Sequence, residues 1–333
     1  MKPRILCLLS LILTLPPLST TAAGRGNYLY ESAFTQMGQA YLDLLDEKNT
    51  DVLSNLPEEK RKLCLQRYQG ILRDGVIDIR LALGYFDWTT GREVRAEGIN
   101  FGFSPSMDLG AFSSLKELLL TPCHGKARFC GFRQDPQNMY RFSREVNIHG
   151  NKYVARVEVQ FSSQTEYLSA NLGDYRNEQK QRTQYMEDYF ARGLQNADAI
   201  FYFGHSRNGG GPDFAPPIFV NGRNKVDYDG YYEVQRPGLK KMIAALSASP
   251  SKTPILGLMS CASREHFLRK VRAVAPQMGV ITSRDVLNVD EVYTAMIGGV
   301  DAILRGQCQQ SFYQSLRMTS NNQQFITMDG MFE

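Results

Sequence analysis

Two patterns of apolar residues follow each other along the first half of the chain. Apolar residues recur at helical spacing in three stretches, which predict helices over 32–45, 58–72 and 113–120. Between 76 and 103 apolar residues instead alternate with their neighbours, as in strands, and the alternation shifts by one residue after Gly98, which predicts a β-bulge there. Glycine-rich and polar residues around 131–150 indicate a domain boundary, so residues 24–150 are predicted to form a smaller α+β domain.

From residue 151 onwards, short strands that are apolar throughout alternate with helices. The predicted strands are 153–161, 199–203, 254–259 and 278–282, and the predicted helices are 178–194, 239–246, 265–274 and 289–304. This alternation is typical of an α/β domain with a mainly parallel sheet between helices, here over residues 151–333. In such sheets, chemistry gathers on the loops after the carboxyl ends of the strands.

The amino terminus has the order of segments found in secretion signals. A positive start, Met1 to Arg4, precedes the apolar run Ile5–Leu15, and small residues fill 19–23. We therefore predict a signal peptide over 1–23 and export to a periplasm or to the medium. An apolar run of about eleven residues is too short to span a membrane, and no later stretch approaches the roughly 20 residues that a span needs.

Composition and charge narrow the classes of partner and cofactor. Removing Lys2 and Arg4 with the signal lowers the formal net charge from +4 to +2, which argues against nucleic acid or an anionic membrane as the main partner. His124 and His149 have no carboxylate or second histidine at ligand spacing, so no zinc site is predicted. No metal and no cofactor are expected.

The five cysteines that follow the signal form an odd set, which is notable in an oxidising compartment. Cys123 and Cys130 flank a short segment with a glycine that lets it turn, so we predict a local disulfide between them. Cys64 and Cys308 are candidates for a second, long-range bridge, although spacing alone does not establish the pairing. In that arrangement Cys261 is the free thiol.

A histidine and this free cysteine occupy equivalent positions, each just after a predicted apolar strand. Both follow strongly apolar strands: His205 comes after 199–203 and Cys261 after 254–259. A thiol is mostly protonated at neutral pH, and an imidazole within hydrogen-bonding distance can take its proton and later return it to a leaving group. Glycines 209–211 give the first loop a flexible backbone, and Cys261 directly precedes a predicted helix whose amino end favours a thiolate. We therefore predict a Cys–His pair.

The two blocks that carry this pair resemble the caspase-like clan of cysteine peptidases, which includes caspases, metacaspases, legumain, gingipains, separase and CHAT domains. The blocks read Ala-Ile-Phe-Tyr-Phe-Gly-His, ending at His205, and Pro-Ile-Leu-Gly-Leu-Met-Ser-Cys, ending at Cys261. The resemblance covers about residues 151–318. It implies a caspase-like sandwich, a protein or peptide substrate, His205 as general base and acid, and Cys261 as nucleophile. It further implies an oxyanion hole made by the Cys261 amide and an amide near His205. It implies no cofactor, although calcium activates some relatives.

The chain departs from the clan after the histidine, where relatives commonly have glycine and this sequence has Ser206. The serine amide can still donate to an oxyanion, but its turn is less free. No specificity pocket has a clear match in the sequence. Beside Ser206, the candidates for oxyanion or substrate contacts are Arg207, Gly209, Asp213, Asp227 and Arg264. Asp213 is also suited to capping a Gly-Pro turn, and Arg264 to the solvated first turn of a helix.

Two other functions compete with an exported cysteine peptidase. The first is a catalytically inactive, caspase-like scaffold of the cell envelope that binds a peptide or another protein. The second is a serine hydrolase that uses Ser206, because Gly204-His205-Ser206 looks like the start of a nucleophile elbow. The elbow requires a second glycine where this chain has Asn208, and the histidine must come late in the fold, whereas only His266 follows.

Overall fold

An eight-stranded mixed sheet organises the chain. The computed structural model describes residues 30–86, 93–96, 99–103, 107–220, 226–231, 236–249, 253–319 and 321–333. The strands are β1 (Val76–Leu83), β2 (Glu93–Ala96), β3 (Ile99–Phe103), β4 (Arg133–Asp135), β5 (Asn138–Ile148), β6 (Asn151–Gln160), β7 (Ala199–Phe203), β8 (Ile255–Met259), β9 (Gly279–Ser283) and β10 (Ile326–Asp329). The sheet has the order β10-β9-β8-β7-β1-β6-β5-β4, and β2 and β3 pair separately. The strands β6, β1, β7, β8 and β9 run parallel, while β10, β5 and β4 are antiparallel to their neighbours.

Helices cover both faces of this sheet. They are α1 (Glu31–Glu47), α2 (Glu58–Ile71), α3 (Met107–Leu120), α4 (Leu168–Leu172), α5 (Arg176–Asn196), α6 (Pro237–Ala248), α7 (Arg269–Val274), α8 (Val289–Leu304) and α9 (Gln309–Ser315). A π-helical turn, Arg264–Leu268, leads into α7, and 3-10 turns occupy Leu53–Asn55, Arg207–Gly209 and Asn321–Phe325. One core joins the sheet to α1, α2, α3 and α8, and a second joins its other face to α5, α6 and α7. The predicted α/β architecture with a mainly parallel sheet between helices is confirmed.

Burial on both faces explains why the central strands are apolar throughout. Every residue of β7, β8 and β9 is buried, so no position in them is left for a solvated side chain. The helix α8 is almost as deeply buried, and a capping box between Asn288 and Glu291 fixes where it begins. These elements have the bounds that the apolar pattern predicts, to within about two residues.

The domain boundary predicted after residue 150 is not a boundary in the structure. It lies in the turn of a hairpin, where Ile148 of β5 pairs with Asn151 of β6. Moreover, β1 lies between β6 and β7 in the sheet, so residues from both sides of residue 150 share one sheet and one core. The separate N-terminal α+β domain is therefore a wrong prediction: alternation in β1 marks a strand but cannot say which strands it joins.

The polar stretch 131–150, in which the domain boundary was predicted, contains β4 and all of β5. In the second half of β5 only one face packs on the core, through Phe142, Val146 and Ile148, while the intervening positions carry polar residues. Three inward residues among many polar ones gave too weak a pattern to predict a strand. The bulge predicted at Gly98 lies outside the described residues, and the β2–β3 pairing does shift register between Val94 and Arg95.

Both predicted disulfides are present. Cys64 of α2 is bonded to Cys308, and Cys123 is bonded to Cys130, with Cα–Cα distances of 5.4 and 5.3 Å. Of the cysteines that the structure describes, Cys261 is the free one. The predicted signal, 1–23, lies outside the described residues. Among those that the structure describes, none of the helices combines the length and the apolar character that crossing a bilayer requires.

Candidate functional site

Both residues of the predicted pair lie at the carboxyl edge of the sheet. Phe203 at the end of β7 pairs with Met259 at the end of β8, and the Gly204 amide extends the pairing by donating to the Met259 carbonyl at 3.2 Å. His205 and Cys261 each follow two residues after these paired positions. Neighbouring strands lie about 4.8 Å apart, so the two residues follow adjacent strand ends at the carboxyl edge of the sheet.

The imidazole of His205 is oriented by the strand on its other side. Its Nε2 lies 3.1 Å from the Phe86 carbonyl, just beyond the end of β1, and the Phe86 ring packs beside it with centroids 5.1 Å apart. A carbonyl only accepts, so Nε2 carries the proton and donates, and Nδ1 is left as the basic nitrogen. Burial, together with the nearby Arg207 cation, lowers the pKa of His205 to about 3, although the bond to Phe86 opposes this. The ring is therefore neutral at neutral pH.

The thiol of Cys261 is half-buried between the ends of β8 and β9. Its Sγ lies 3.5 Å from the Leu287 carbonyl, and the next amide, of Ala262, donates to the Asp285 carbonyl at 2.9 Å. Ala262 has φ 47, a left-handed conformation that turns the chain sharply away after the cysteine. The loop after β1 thus contacts the imidazole, and the loop after β9 contacts the thiol.

The backbone amides of Ser206 and Cys261 have no acceptor among the described residues. The first lies next to the imidazole, and the second belongs to the thiol residue itself. The Ser206 carbonyl accepts the amides of Gly209 and Gly211, both at 2.9 Å, which holds the loop in a compact turn. Gly209 has φ 83, a conformation that glycine adopts without strain.

The charged candidates are engaged within the protein. Arg207 is 1 % exposed and its Nε donates to Asp213, with Nε 3.3 Å from Oδ2. Arg264 pairs with Asp329 of β10, and Asp227 accepts the Gly230 amide within its own turn. The structure therefore brings Arg207 and Asp213 together behind His205, while Arg264 and Asp227 are held elsewhere.

Two partners of the pair leave no signature that sequence reasoning could have used. They are the carbonyls of Phe86 and Leu287, which any residue type supplies, so only knowledge of the strand order identifies them. A third residue near these loops is His266. Its Nδ1 would lie 3.1 Å from a Cβ at Gly209, so the π-helical turn after Cys261 packs against the loop after His205. Burial lowers the pKa of His266.

A small cleft of about 160 Å³ lies on the opposite face of the sheet, between α5 and α6. Its wall is mainly carbon, from Phe190, Leu194, Phe214 and Met242, and Asp213 lines one end. The described residues contain no group of three or more histidine, cysteine or acidic side chains that could hold a metal ion.

Comparison of the chain with protein-family models, with curated proteins and with solved structures finds no match.

Proposed function

We propose that this protein is an exported cysteine peptidase of the caspase-like type, in which Cys261 attacks a peptide carbonyl and His205 transfers the proton. The observation that supports the proposal is the register between β7 and β8: His205 and the free cysteine Cys261 each come two residues after strand ends that pair with each other at the carboxyl edge of the sheet. The resemblance of the two sequence blocks points to the same chemistry.

The hydrogen bond between the His205 ring and Phe86 determines which ring nitrogen acts as the general base. Because Nε2 donates to Phe86, Nδ1 takes the proton from the Cys261 sulfur as the sulfur attacks the carbonyl carbon. The resulting oxyanion accepts hydrogen bonds from the free amides of Cys261 and Ser206. The imidazolium then protonates the leaving amine, which yields a thioester, and His205 next activates the water that hydrolyses it.

The low pKa of His205 influences the timing of proton transfer. A buried imidazole beside a cation is a weak base, so a resting thiolate–imidazolium pair is disfavoured. The proton therefore moves as the sulfur attacks its electrophile, whether this is a peptide carbonyl or an alkylating reagent. The same property favours a second candidate, the inactive scaffold, because a base with so low a pKa is poorly matched to catalysis near neutral pH.

Two intramolecular disulfides support export, since such bonds persist in oxidising compartments. Ser206 is a weaker candidate for a nucleophile. It has φ −73, without the strain of a nucleophile elbow.

Labelling of Cys261 separates these candidates. Iodoacetamide is expected to alkylate Cys261 at pH 7 faster than it alkylates free cysteine, and His205→Ala is expected to remove the excess. Hydrolysis of a peptide library is expected to fall on the order of a hundredfold or more in the same variant, because general-base catalysis contributes that much. Equal, slow alkylation of both forms, without hydrolysis, would instead identify a scaffold.

Two variants serve as controls. Cys261→Ala reports labelling at other sites, and His124→Ala removes an exposed histidine from the Cys123–Cys130 loop. His124→Ala is expected to match the parent protein in both assays. A fluorophosphonate that labels Ser206 would favour the serine hydrolase.

A further inference from the structure

A buried arginine connects the loop after β7 to the end of β1. The side chain of Arg207 has no exposed surface; its Nη2 donates to the Tyr85 carbonyl at 3.0 Å, and its Nε donates to Asp213. The Tyr85 amide in turn donates to the Asp213 carbonyl at 3.0 Å. Both backbone groups of Tyr85 are therefore held by the segment that begins at Arg207 and ends at Asp213.

We propose that Arg207 is a positioning residue that fixes the Phe86 carbonyl against Nε2 of His205 and so selects the tautomer with a basic Nδ1. This role rests on the proposed function only in that His205 is taken to be the general base. It assigns Arg207 and Asp213 to the support of the imidazole and not to contact with substrate.

The geometry leaves little freedom between the arginine and the imidazole. Phe86 directly follows Tyr85, so once the Tyr85 carbonyl is held, only the φ and ψ rotations of Phe86 remain to orient the Phe86 carbonyl. The packing of the Phe86 ring beside His205 restricts these rotations. Tyr202 secures the other side of the loop, because its hydroxyl donates to the His205 carbonyl at 2.8 Å and accepts the Asp213 amide at 3.0 Å. The His205 backbone and the Tyr85 backbone next to Phe86 are thus both hydrogen-bonded to the segment 202–213.

The backbone of Arg207 indicates that this arrangement is imposed by its surroundings. Arg207 and Asn208 both have φ 49, a left-handed conformation that is strained for a residue with a side chain. Such a conformation persists only where neighbouring contacts hold it. The buried bonds to Asp213 and Tyr85 supply these contacts for Arg207.

The guanidinium also acts on His205 through its charge. Arg207 is the charged group that lowers the pKa of His205, in the same direction as burial, and the Phe86 carbonyl acts in the opposite direction. Asp213 balances the arginine from its far side. A substitution can therefore remove the charge, the hydrogen-bonding geometry, or both, and these effects are measured separately.

The test follows the ring nitrogens of His205 by NMR in protein labelled with ¹⁵N-histidine. The chain has four histidines, and the His205 signals are those that disappear in His205→Ala. The parent protein is expected to have protonated Nε2 and bare Nδ1 at neutral pH. Arg207→Met, which removes charge and donors, is expected to raise the pKa of His205 by about one unit or more and to mix the tautomers. Cys261 alkylation is expected to lose most of its dependence on His205.

Arg207→Lys separates position from charge and is the fallback if Arg207→Met does not fold. Lysine keeps the cation but cannot bond Asp213 and Tyr85 in two fixed directions, so the tautomers are expected to mix while the pKa stays low. Arg305→Met is the matched control. Arg305 is as deeply buried as Arg207 and, at the carboxyl end of α8, forms an ion pair with Asp301 of the same helix. It is expected to leave the His205 signals unchanged.

An unchanged tautomer in both folded Arg207 variants would overturn the positioning role. The outcome for the proposed function is distinct. If the Arg207 variants shift the His205 signals but His205→Ala leaves alkylation and hydrolysis unaltered, Arg207 positions the imidazole and the peptidase proposal fails.

Discussion

The two disulfides should differ in how much they stabilise the protein. Cys64 and Cys308 are 244 residues apart, whereas Cys123 and Cys130 are 7 apart. Loop-closure entropy then predicts that the long bridge stabilises the fold by about 5.5 kcal/mol and the short one by about 2.5 kcal/mol. The short loop also keeps other anchors when its bridge is removed, because Asp301 accepts the amides of Arg128 and Phe129.

Paired alanine variants, Cys64→Ala with Cys308→Ala and Cys123→Ala with Cys130→Ala, measure this difference. Both are made with Cys261→Ser so that no free thiol can exchange with the remaining bridge. Urea unfolding followed by circular dichroism is expected to give a free energy of unfolding about 3 kcal/mol lower for the first pair than for the second. An equal loss, or a larger loss for the short bridge, would refute the entropic reasoning.

Two further predictions concern the loop after β7 and the opposite edge of the sheet. A Cβ at Gly238 would lie 1.8 Å from the Pro212 carbonyl oxygen, so Gly238→Ala is expected to destabilise the protein by about 1–3 kcal/mol and to slow Cys261 alkylation. Gly70→Ala, whose Cβ has room within a helix, is the control, and equal melting temperatures of the two variants would contradict the prediction. Burial raises the pKa of the Asp198 carboxyl from 3.8 to about 7. The folded state therefore binds this proton more tightly than the unfolded state, and the free energy of unfolding falls as pH rises from about 4 to about 7. Asp198→Asn has no carboxyl to ionise, so the difference between its melting temperature and that of the parent is expected to increase from pH 4 to pH 7. A difference that stays constant over this pH range would exclude Asp198 as the cause.

Sequence patterns identified the central strands because those strands are buried on both faces. β7 has the predicted bounds, and β8 begins one residue later than predicted. The pattern failed for β5, whose pairing on a half-solvated face leaves few apolar positions, and for the domain boundary. The sequence of a strand such as β1 indicates that the strand is buried, but it does not indicate which strands are its neighbours in the sheet.

Some features of the candidate site likewise follow from the sequence, and others only from the tertiary structure. The chain alone determined the reactive side chains, the odd cysteine and the apolar strands that precede His205 and Cys261, because these depend on residue type and local periodicity. Only the tertiary structure decided the rest: that β7 and β8 are adjacent, that the Phe86 carbonyl orients the imidazole, and that Arg207 is turned inward against Asp213. These features arise from contacts between segments distant in sequence, many of them through backbone atoms that every residue shares, so no local pattern encodes them.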